Sequence, residues 1–140
     1  MNLTPFENEI IDSILWQIKG FKEGNVSERA TNRILRASLR RIKHRLIGYS
    51  VESKNAAETD NDHAVPVKVV VQMLMEAPKL SKVFAIDILR KFYISVAITK
   101  HEHTVVLKEF GLASGMPNDW NGTDPLARYS KAGIRIIETT

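Results

Sequence analysis

The chain contains no cysteine. That excludes disulfides, thiolate zinc sites and a cysteine nucleophile, so any metal must be held by His, Asp, Glu or Asn. The same absence fits a reducing, cytoplasmic setting. No apolar run approaches the roughly 20 residues of a membrane-spanning helix. Met1 to Ile10 carries Glu7 and Glu9, and no basic stretch precedes an apolar one, so it does not read as a signal peptide. A soluble protein with no membrane partner is expected. Internal repeats and low-complexity tracts are also missing.

Acidic residues are scarce in one region. Between Val26 and Ser50, Arg29, Arg33, Arg36, Arg40, Arg41, Lys43 and Arg45 stand against Glu28 alone, while the whole chain carries 20 Lys and Arg against 16 Asp and Glu. Such crowding leaves self-repulsion uncompensated unless an anion arrives, which points to nucleic acid, DNA first, as the partner. Arg29, Arg33, Arg36, Arg40 and Lys43 recur at helical spacing and should form a cationic ridge contacting phosphates.

What is present is enough for one folded domain: 140 residues, 44% of them apolar. Thr4-Pro5-Phe6-Glu7 reads as a helix start with a capping box, and Ile10, Ile11, Ile14, Leu15 and Ile18 follow at helical spacing to about Phe21. Leu35, Leu39, Ile42 and Leu46 extend a second, basic helix to near Gly48. Residues 1–49 thus form a helical hairpin. Ser50 to Asn61, polar and without aromatics, reads as a loop. Val65 to Met75 reads as a short strand and then a helix, and Lys82 to Lys91 as another helix. Phe92 to Ile98 is the clearest strand. Thr99-Lys100-His101-Glu102 is a second capping box, starting a helix that stops at Gly111, and residues 112–140 form a tail with a last helix from Pro125 to Ala132. The expected class is α+β, mostly helical, with a small two-stranded element.

Asp62-His63 is the most chemically loaded pair. A carboxylate there can hold a divalent cation while the adjacent imidazole takes a proton from water, provided that a turn at the strand's start lets both serve one site.

Asp62-His63-Ala64-Val65-Pro66 is similar to the Asp-His-hydrophobic-Val/Ile-Pro opening of HNH endonucleases, including the HNH domain of RNA-guided CRISPR effectors. The strand Tyr93 to Ile98 followed by Thr99-Lys100-His101-Glu102-His103 resembles the second half of the ββα-metal motif. The tail from Met116 to Tyr129 resembles the ending of bacterial and phage HNH-like proteins, which implies no role for it. The resemblance covers mainly Asp62 to Phe110. It implies Asp62 and His103 as ligands of a divalent metal, Mg²⁺ first, and His63 as general base. Three departures stand out, the first being an extra helix between the two halves where a compact motif has a short loop. No middle Asn is identifiable, and Leu107 occupies the position where some members carry another His.

The implied function is metal-dependent cleavage of nucleic-acid phosphodiesters. The rival is a non-catalytic nucleic-acid or protein-binding module on the same scaffold, such as a phage or mobile-element inhibitor of host machinery. Around these residues, Glu102 reads as the partner of Thr99, Trp120 and Tyr129 as core aromatics, and Arg128 as the i, i+4 partner of Asp124.

Overall fold

The capping box at Thr4 forms as its sequence indicates. The Thr4 hydroxyl accepts from the Glu7 N–H at 3.1 Å, and the Glu7 carboxylate accepts from the Thr4 N–H at 3.0 Å. With Pro5 in the first turn, this starts α1 (Pro5–Lys22), which buries Ile10, Ile11, Ile14 and Ile18. In this computed structural model, which describes residues 1–139, α1 belongs to a helical unit made of Met1–Lys43 and Val67–Lys91. The Ser27 hydroxyl caps α2 (Glu28–Leu39), whose buried face is Thr31, Leu35 and Leu39. α3 (Val67–Glu76) adds Val70, Val71, Leu74 and Met75 to the buried residues, and Ser81 caps α4 (Lys82–Phe92).

α2 ends at Leu39, well before Gly48. The apolar spacing continues through Leu46, but the chain turns after Arg40, and the Glu7 carboxylate accepts from the Lys43 N–H at 2.8 Å. Leu46 is 51% exposed and lies on a strand. Helical spacing alone could not separate these outcomes.

The second unit, His44–Pro66 with Phe92–Thr140, holds the sheet. Its strands are β1 (Arg45–Ser50), β2 (Thr59–His63), β3 (Ile94–Thr99) and β4 (Ile136–Glu138), in the order β2-β3-β1-β4. β2 and β3 run antiparallel, β1 and β3 parallel, and β1 and β4 antiparallel. The chain is α+β and predominantly helical, with a four-stranded sheet where a two-stranded element is expected. Gly48 permits the β1–β4 approach, because a Cβ there would run into the Ile137 carbonyl.

Residues 50–61 are more ordered than a loop. They hold a 3-10 turn, Glu52–Asn55, and the start of β2 at Thr59. No strand forms at Val65. The Ala64 N–H donates to Ile94 O at 3.0 Å, Pro66 has no N–H to continue the ladder, and α3 begins at Val67.

β3 leads into the second capping box, with Glu102 accepting from the Thr99 N–H at 2.9 Å and Thr99 from the Glu102 N–H at 3.0 Å. A π-helical turn, Glu102–Val106, then passes into α5 (Leu107–Glu109). α6 (Ala127–Ala132) starts two residues after Pro125 and ends at Gly133, whose φ of 73° favours glycine. Ala64, Ile94, Val96, Ile98, Leu107, Leu112, Tyr129, Ala132 and Ile134 form the core of this unit. Among the described residues, no helix is long and apolar enough to cross a membrane.

Candidate functional site

Side chains alternate along β2, and its register with β3 pairs Asp60 with Ile98 and Asp62 with Val96. Asp60 and Asp62 therefore share the face that carries the buried Val96 and Ile98. Asp62 is 8% exposed. A carboxylate so buried requires partners, and two residues of α6 supply them. Arg128 Nη1 donates to Asp62 Oδ2 at 2.9 Å, and the Tyr129 hydroxyl donates to the same oxygen at 2.6 Å. Arg128, 1% exposed, also donates to the carbonyls of Leu112 at 2.8 Å and His63 at 2.7 Å. Burial and the Asp62 charge push the Tyr129 phenol far up, keeping it a donor. Arg128 does not pair with Asp124. That carboxylate instead accepts from the Leu126 N–H at 3.0 Å.

The other oxygen of Asp62 looks towards His103. Glu102, itself buried, anchors the π-helical turn by accepting from the Ser50 hydroxyl at 2.5 Å as well as from Thr99. The wider turn carries His103 over β2, where its Nδ1 meets Asp60 Oδ2 at 2.9 Å and its Nε2 is 3.7 Å from Asp62 Oδ1. In the tautomer that donates Nδ1–H to Asp60, the Nε2 lone pair faces Asp62. This is how a carboxylate commonly orients a metal-binding histidine.

Asp62 Oδ1 and His103 Nε2 thus suit a divalent cation, because bonds of about 2.1 Å from each atom can meet at one ion. No group of three or more His, Cys, Asp or Glu residues in metal-holding geometry occurs among the described residues. Water would fill the other positions, as Mg²⁺ readily accepts. Leu107, four residues after His103, is fully buried in the core and offers no ligand.

His63 does not join this pair. Alternation sends its ring to the opposite face, beside Ser95, its register partner on β3. There it stacks on Tyr93 with centroids 5.5 Å apart and meets the edge of His44 at 4.6 Å. His44 Nδ1 is 2.8 Å from the Ser95 hydroxyl, while His63 Nδ1 is buried without a hydrogen-bond partner. Burial first, and then His44, lower the His63 pKa, so the ring is neutral at pH 7. The turn expected to bring Asp62 and His63 together comes only after His63, where the ladder stops.

On the helical unit, Arg29, Arg33, Arg36 and Arg40 are all exposed. No carboxylate pairs with them among the described residues. Lys43 is exposed too, but it lies beyond the end of α2 and off its ridge. The sequence reading missed Asp60, Arg128 and Tyr129 as site residues. Asp60 had a signal, its i−2 position relative to Asp62, once β2 is known to begin at Thr59. Compared with protein-family models, curated proteins and solved structures, the chain matches none.

Proposed function

We propose that the protein is a metal-dependent, HNH-like nuclease acting on nucleic-acid phosphodiesters, with Asp62 and His103 as metal ligands. One observation carries this reading: antiparallel β2 and β3 followed by a helix bring Asp62 Oδ1 and His103 Nε2 to 3.7 Å. Asp60 orients the imidazole through Nδ1. Arg128 and Tyr129 hold the far oxygen of Asp62 and so fix the direction of the near one. A divalent cation bound there would supply positive charge beside the developing pentacovalent phosphate. His63, the base that the resemblance implies, lies on the opposite face of β2 from this pair, so the reading gives it no part at a metal-bound water. The exposed arginines would hold the phosphate backbone.

Nicking of supercoiled plasmid with Mg²⁺ tests the reading. Activity should vanish with chelator and with His103→Ala, and persist in His63→Ala. Loss of nicking in a folded His63→Ala would restore that residue as base against this geometry, and undiminished nicking by His103→Ala would remove the metal assignment.

The second reading is a non-catalytic nucleic-acid or protein-binding module, such as an inhibitor of host machinery. It is favoured by the opposite orientations of Asp62 and His63 on β2. Binding that survives both histidine variants, with no nicking by the wild type under any divalent metal, is its expected signature.

A further inference from the structure

We propose that the arginine ridge of α2 docks a B-form DNA duplex through its phosphates, without metal and without reading sequence. This deepens the nucleic-acid part of the function above and does not depend on cleavage. At 100° per residue, Arg29, Arg33, Arg36 and Arg40 fall within an arc of about 60° and span about 16 Å of helix axis. All four are exposed, and Glu28, the one acid of α2, projects roughly 100° away from the ridge.

The residues around the ridge narrow the class of ligand. α2 contains no aromatic side chain, so it has no platform on which unpaired bases could stack, which disfavours single strands. Ala30 and Ala37 border the ridge on one side and Asn32, half-buried, on the other, so the helix is slim there and presents no exposed amide to a base edge. A helix of about 10–12 Å matches the roughly 12 Å major groove of B-form DNA, whereas the A-form groove of duplex RNA is too narrow for it.

The test is fluorescence anisotropy of the full chain with a short labelled DNA duplex, its single strand and the matching RNA duplex, in chelator across a salt series. The DNA duplex should bind tightest. Four phosphate contacts give a slope of log K against log salt of about −3.6, falling to about −1.8 in Arg33→Gln/Arg36→Gln. Arg29→Gln/Arg40→Gln should behave alike, and circular dichroism should show both variants folded. Because chelator is present throughout, binding is separated from metal chemistry. Equal or tighter binding of either competitor, or a slope unchanged in both double variants, would overturn the proposal even if plasmid nicking succeeds.

Discussion

The arginines of α2 and the single arginine of α6 carry the same charge and do opposite jobs. Arg29, Arg33, Arg36 and Arg40 stand exposed with no carboxylate partner among the described residues. Arg128 is buried and donates to one carboxylate and several carbonyls. The lesson is about cost. An exposed, unpaired guanidinium costs the fold little and remains available to a ligand, whereas a buried one must have every donor occupied and so becomes part of the scaffold. The ridge should therefore be dispensable for stability and the α6 arginine indispensable.

Removing Arg128 should have the largest effect. Arg128→Ala leaves Asp62 buried and uncompensated, and a loss of about 3–5 kcal/mol in urea unfolding is expected. A loss below about 1 kcal/mol would mean that Asp62 does not depend on Arg128, and the contrast would fail. Tyr129→Phe comes next. It removes a donor to the same carboxylate, and about 1.5–3 kcal/mol should go in the same measurement. Arg33→Gln/Arg36→Gln should change stability by no more than about 0.5 kcal/mol per site while weakening polyanion binding. A large stability loss there would show that the ridge is scaffold after all.

The smallest effect concerns acid. Hydrogen bonds from the Thr4 and Lys43 backbone N–H groups hold the Glu7 pKa below the usual carboxylate value. A depressed carboxylate contributes stability above its unfolded pKa and loses it as pH falls through the folded one. The stability gap between wild type and Glu7→Gln should therefore be full at neutral pH and close progressively below about pH 4.3. A gap that stays constant down to pH 2 would contradict the assignment.

How much of this was legible depended on whether partners were local. The Thr4–Glu7 and Thr99–Glu102 boxes span three residues each and read directly from sequence. β3 was legible from its β-branched run. β2 was not, because Thr59-Asp60-Asn61-Asp62 has little intrinsic strand preference and owes its conformation to pairing with β3. The end of α2 was hidden by Leu46, which keeps helical spacing while lying on a strand. The i, i+4 spacing pairs Arg128 with Asp124, four residues away. Its true partner, Asp62, is 66 residues distant, beyond any local pattern. Asp62 and His103 were linked only through family resemblance, and the reach between them depends on a π-helical turn that no spacing rule anticipates.

Calorimetric titration of Mn²⁺, a stand-in for Mg²⁺ with the same taste for oxygen and imidazole ligands, into the full chain tests the central claim most directly. One site is expected, lost in His103→Ala, weakened in Asp60→Asn and kept in His63→Ala. No site in the wild type, or a site that His103→Ala leaves intact, would contradict the Asp62–His103 pair as a metal centre.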